Sequence, residues 1–111
     1  MSLVAIWARY FALTLVVELG IAVPVLGRRQ ALGRRAAAVS FAQLISHPVV
    51  WFILPELGLG RMSYLLVAEA WALVIELLFY RFAFADLSWS RALAVSALAN
   101  GASLAAGTVL G

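Results

Sequence analysis

Residues 63–80 read SYLLVAEAWALVIELLFY. At about 1.5 Å rise per residue this run makes a helix about 27 Å long, close to the roughly 30 Å of hydrocarbon in a bilayer. It holds no glycine or proline to break it. The alternation of a half-buried strand is missing. Two acids interrupt it, Glu69 and Glu76, seven residues apart and so on one helical face. A helix that is apolar everywhere except along one acidic stripe belongs in lipid, with the stripe turned toward protein.

Working outward, three further runs resemble this one: 3–26, 36–54 and 92–110. Each is long enough to span, and helices are the choice for such runs because lipid offers no partners to open backbone groups. The breaks between them, 27–35, 55–62 and 81–91, are short, which makes neighbouring helices antiparallel. The expected fold is all-α: a single transmembrane domain over 1–111, a four-helix bundle running up-down-up-down. Ser88 or Asp86 is the expected N-cap of the fourth helix. Composition agrees. The chain has 111 residues, of which 66% are hydrophobic and 12% charged, too little polar residue for a small domain to cover itself in water.

The charge of +3 comes from arginines that flank the apolar runs rather than from a basic stripe interleaved with aromatics, so no nucleic-acid partner is expected. Arg28, Arg29, Arg34, Arg35, Arg81 and Arg91 lie in the first and third breaks, while the other side holds Arg9 and Arg61. The bias puts those loops in the cytoplasm and both termini outside, as in a multi-pass protein of a bacterial inner membrane. Attraction to anionic lipid accompanies such charges. Trp7, Tyr10, Trp51, Tyr64, Tyr80 and Trp89 fall near the two interfaces, where an aromatic belt is expected. No cleavable signal peptide is expected, since residues 1–8 carry no basic start. There is no cysteine, so disulfides and thiolate metal sites are excluded.

Polar residues recur in stripes. Thr14 and Glu18 share a face of the first helix, and Ser40, Gln43 and His47 share one of the second, with Ser46 beside them. Glu69, Glu76 and Tyr80 line the third helix, and Ser96, Asn100, Ser103 and Gly107 the fourth. Most lie within roughly 10 Å of one depth. In the third run about nine strongly apolar residues give roughly −4.5 kcal/mol on insertion, against roughly +5 or more for two central acids. Partners, protons or water must compensate.

Each stripe has two readings. The glutamates carry protons or bind a cation, or they are protonated links between helices. His47 is a relay or ligand, or a structural residue beside the kink that Pro48 makes by leaving the carbonyl of Leu44 without its donor. If a metal is held, Glu18, His47, Glu69 and Glu76 are its expected ligands. Carboxylates with an imidazole suit zinc, manganese or protons alone rather than a soft metal. The stripe through Asn100, Ser103 and Gly107, with Gly101 and Ala105, also reads as a close-packing surface. Trp71 reads as packing, or as a contact for a pigment or quinone. No phosphate-binding glycine loop, His-Glu-x-x-His or Gly-x-Ser-x-Gly is present, so an enzyme is the least supported class. The leading reading is a membrane protein that binds or conducts a small cation or proton. The alternative is an accessory subunit whose stripes join helices, or join the chain to a homo-oligomer or a larger membrane complex.

The halves repeat faintly. Arg34, Gln43 and Ser46 precede Arg91, Asn100 and Ser103 by 57 residues, and Glu18 precedes Glu76 by 58. This is the spacing of a duplicated helical hairpin. The motifs Ser46-His47-Pro48-x-x-Trp51, Glu69-x6-Glu76-x3-Tyr80 and Asn100-x-x-Ser103-x3-Gly107 resemble those of small bacterial four-span proteins of no known function; the resemblance implies the topology and no activity. Four spans with Glu18 in the middle of the first are also similar to small multidrug-resistance exporters, in which such a glutamate exchanges protons for cationic drugs. That similarity is carried by Glu18 alone. The exporters' glycine-rich, lysine-containing signature is missing, and the arginine bias departs from their weakly biased topology.

Overall fold

The computed structural model describes residues 2–27 and 29–110; Arg28, counted above among the loop arginines, lies outside them. The chain is all-helical, with no strand among the described residues. Helix α1 covers Leu3–Leu26, α2 Leu32–Pro48, α3 Arg61–Ala83 and α4 Trp89–Leu110. Helix α2 continues through a π turn, Val49–Ile53, and a 3-10 turn, Leu54–Leu57. It therefore begins at Leu32 rather than at residue 36 and remains helical past residue 54. Helices α3 and α4 likewise extend beyond their apolar runs. Three helices are long and apolar enough to cross a membrane: α1, the continuous Leu32–Leu57 helix, and α3.

Local chemistry sets the ends. The Ser2 hydroxyl accepts from the Ala5 amide at 3.1 Å and starts α1. Of the two cap candidates for α4, Ser88 takes the part, accepting from the Arg91 amide at 3.1 Å. Gly58, at φ +68°, ends the 3-10 turn in the left-handed region that glycine adopts without penalty. Three carbonyls in the last turn of α1 find partners outside the helix ladder. Arg35 donates to Val23 O at 2.6 Å, the Gly27 amide to Pro24 O at 3.2 Å, and Arg91 to Val25 O through Nη2 at 2.9 Å and Nε at 3.1 Å. Gly27 stands at φ +94°, and a Cβ there would meet Arg91 Nη2 at 3.4 Å. Arg34 treats α3 the same way, donating to Ala83 O at 3.0 Å. Cations at helix C-termini also complement the helix dipole. Arginines read as orientation signals are thus helix caps as well.

Helix α1 packs against α2 and α4, and α3 against α2 and α4, which closes a ring of four. Its core is apolar for the most part but takes in several polar side chains, and its outer surface carries large apolar ones. Glu18, Gln43, Ser46, Glu76 and Ser96 are buried, while Val16, Met62, Leu66 and Phe82 are exposed, Phe82 by 75%. Small residues at the contacts, among them Ala22, Ala38, Ala42, Ala92 and Ala99, bring the backbones close enough for short polar side chains to meet across them.

Candidate functional site

At the centre of the ring Glu18 of α1 and Glu76 of α3 are fully buried, with 0% exposure each, and their carboxyl groups lie beside one another. Amides flank them. Gln43 Nε2 of α2 donates to Glu76 Oε1, and Asn100 Nδ2 of α4 donates to Glu76 Oε2. Ser103 Oγ of α4 donates to Glu18 Oε1 at 3.2 Å. Three side chains from two helices thus hold two acids from the other two. The α4 partners are themselves fixed. Ser96 Oγ donates to Leu73 O at 2.8 Å, tying α4 to α3, and Asn100 also donates to Ser96 O at 2.8 Å. Two buried atoms nearby have no hydrogen-bond partner among the described residues, Glu18 Oε2 and the Tyr80 hydroxyl.

Beside the pair, toward the chain termini, a cavity of about 220 Å³ opens between all four helices. Gln43, Asn100 and Ser103 form its floor, so the groups that hold the acids also face the cavity. Thr14, Ser46, His47, Trp51 and Glu69 stand in its walls. Glu69 is half-buried and makes no hydrogen bond among the described residues. It shares its face with Glu76 but lies two turns away, about 10 Å along the axis, so it lines the cavity rather than joining the pair.

His47 is held from α1. Trp7 Nε1 donates to His47 Nδ1 at 3.0 Å, and Phe11 packs edge-on against the imidazole at 5.4 Å between centroids. Trp51 stacks on its other side at 6.4 Å. An imidazole that accepts at Nδ1 carries its proton on Nε2, so His47 presents an N–H to its surroundings and its bare nitrogen is occupied. Trp7, one of the aromatics expected in an interfacial belt, is the hydrogen-bond partner of His47.

The four expected metal ligands therefore separate into a pair, Glu18 and Glu76, and two cavity residues, Glu69 and His47. Among the described residues no three of the histidine and acid side chains gather closely enough to hold one metal ion. Thr14 and Ser46 line the cavity, Ser96, Gln43, Asn100 and Ser103 join the network, and Tyr80 is buried beyond the pair. Ser40 does not take part: its hydroxyl bonds Ala36 O in its own helix at 2.9 Å.

Two residues of the site had no signal in the sequence beyond their type. Trp71 Nε1 donates to Ser46 O at 3.2 Å, and Tyr64 OH to Val50 O at 2.7 Å. Both serve carbonyls in the stretch of α2 disturbed by Pro48 and Pro55. Set against known proteins, the chain matches no family model, no curated protein and no solved structure.

Proposed function

We propose that the chain is a four-span membrane protein, up-down-up-down with both termini outside, whose Glu18–Glu76 pair takes up and releases a proton, or a small cation in its place, through the cavity. The observation that carries this reading is the meeting of two fully buried acids, from facing helices, beside a cavity with polar walls. Two carboxylates about 4 Å apart repel by about 4 kcal/mol at an effective dielectric of 20. A proton between them removes that repulsion and gives Glu18 Oε2 the partner it lacks. The Ser103 hydroxyl touches both Glu18 and the cavity, and a hydroxyl both donates and accepts, which supports it as the step between them. Glu69 supplies the carboxyl nearest the outer mouth. Membrane placement is supported by the span-length helices, the exposed apolar exterior and the arginine-rich connections at one end.

The accessory-subunit reading has one observation in its favour: the carboxyl of Glu76 ties α2, α3 and α4 together through Gln43 and Asn100. One experiment separates the two. The full chain is reconstituted in liposomes holding a pH-sensitive dye, and an imposed pH gradient is followed for wild type, Glu18→Gln and Glu76→Gln. We expect wild type to collapse the gradient faster than empty liposomes, and each Gln variant to lose that activity while remaining helical and monodisperse in detergent. A divalent-cation indicator in the same vesicles distinguishes ion from proton. Wild-type flux no faster than empty liposomes, with Gln variants that aggregate, gives the result to the accessory reading.

A further inference from the structure

The opposite end of the bundle holds a second cavity, of about 390 Å³, between the first and third connections. Its walls include Gly27, Arg29, Gln30, Asp86, Ser88 and Arg91. Arg34 and Arg35 are not among its walls, and their donors go to helix-end carbonyls. Arg91 donates through Nε and Nη2 to Val25 O, but a carbonyl carries no net charge, so its full positive charge still faces the cavity. Its Nη1 donors take no part in that contact. Arg29 makes no hydrogen bond, ion pair or ring contact among the described residues. Among the described residues Asp86 is the one acid in the walls, and its Oδ1 already accepts from Gln30 Nε2 at 2.6 Å. Two described guanidiniums against one carboxylate leave an excess of positive charge with donors to spare.

We propose that this cavity binds a phosphate-bearing anion, with Arg29 as the contributed charge, Arg91 as the fixed wall and Ser88 beside them. Guanidinium is suited to this ligand because its planar set of donors matches two phosphate oxygens at once. The cavity lies where α1 and α3 end and α4 begins. In the four-span reading, on which this placement rests, that is the headgroup level of the arginine-rich side, where anionic phospholipids concentrate. The two sources of the shared chemistry are a lipid phosphodiester and free phosphate. The site is remote from the acid pair, so its test stands whether or not protons are moved.

The test uses the full chain in detergent, with native mass spectrometry reading retention of short-chain phosphatidylglycerol against phosphatidylcholine, and a separate titration with inorganic phosphate. Phosphatidylglycerol is expected to be retained over phosphatidylcholine. Arg29→Gln removes one charge from a residue with no side-chain partner among the described residues and is expected to weaken retention about fivefold. Asp86→Asn removes the single acid and is expected to strengthen it. If inorganic phosphate binds in an Arg29-dependent way and the lipid does not, the site holds and its source is free phosphate. Binding of both probes that is unchanged in Arg29→Gln, or no preference for phosphatidylglycerol and no phosphate binding, overturns the proposal.

Discussion

The bond from Trp7 Nε1 to His47 Nδ1 has a consequence at the scale of one imidazole. With Nδ1 accepting, a second proton cannot be added there unless the indole N–H turns away. A metal ion seeking the bare nitrogen meets the same obstacle. With Nδ1 engaged, His47 presents its Nε2 donor at the cavity wall. The titratable group facing it across the cavity is Glu69 of α3; α1 presents Trp7, Phe11 and Thr14, and α4 presents Asn100 and Ser103, none of them charged. In ¹⁵N spectra of the protein in detergent, the imidazole is expected as one neutral tautomer with its proton on Nε2. Trp7→Phe keeps the ring packing but removes the donor, and a mixture of tautomers is expected. A wild-type spectrum with the proton on Nδ1 would show that Trp7 does not set the ring.

At the scale of an element, α2 shows what a proline does when the next helix repairs the damage. After Pro48 the backbone widens into a π turn, in which the Leu54 amide bonds Val49 O, five residues back. In the same register the donor for Val50 O is residue 55, which is Pro55 and has no N–H. Tyr64 of α3 supplies the missing donor. Tyr64→Phe is expected to lower stability by about 1 kcal/mol, read from thermal unfolding in detergent. In a Pro55→Ala background, where a backbone N–H returns, the same change is expected to cost less. Equal costs in both backgrounds would mean that Val50 O gains nothing from Tyr64. Residue 48 marked a disturbed helix from sequence alone, because a missing donor is a property of the residue itself. The π turn and the parts of Tyr64 and Trp71 were not legible, because their partners are carbonyls on another helix; a tyrosine near a helix end reads as interfacial, and a tryptophan in the middle of an apolar run reads as packing. That Glu18 and Glu76 are both buried in the bundle follows from shared depth and an inward stripe. The place of Glu69 does not, since an i, i+7 pattern specifies the face and not which turn meets a neighbour.

At the scale of the whole molecule, the arginine caps exchange between the two hairpins. Arg34, at the start of α2, donates to Ala83 O at the end of α3. Arg91, at the start of α4, donates to Val25 O at the end of α1. The donors are 57 residues apart and the acceptors 58, the same offsets that relate Gln43 to Asn100 and Glu18 to Glu76. Each hairpin thus closes a helix of the other, which is what a two-fold relation between α1–α2 and α3–α4 requires, and which supports the duplicated hairpin read from the offsets. At the centre the relation loosens. Gln43 and Asn100 both serve Glu76, and Glu18 is left with Ser103. A strict repeat would give each acid one amide, so the asymmetry falls on the two groups proposed to share a proton. If the caps are equivalent, removing either charge and its carbonyl bond is expected to cost a similar amount, about 1.5–3 kcal/mol each. Thermal unfolding of Arg34→Gln and Arg91→Gln in detergent measures this. The double variant tests it further. Caps that lie on different helix ends and share no partner are expected to add, so a double variant no less stable than Arg91→Gln alone would show that only one hairpin depends on the other.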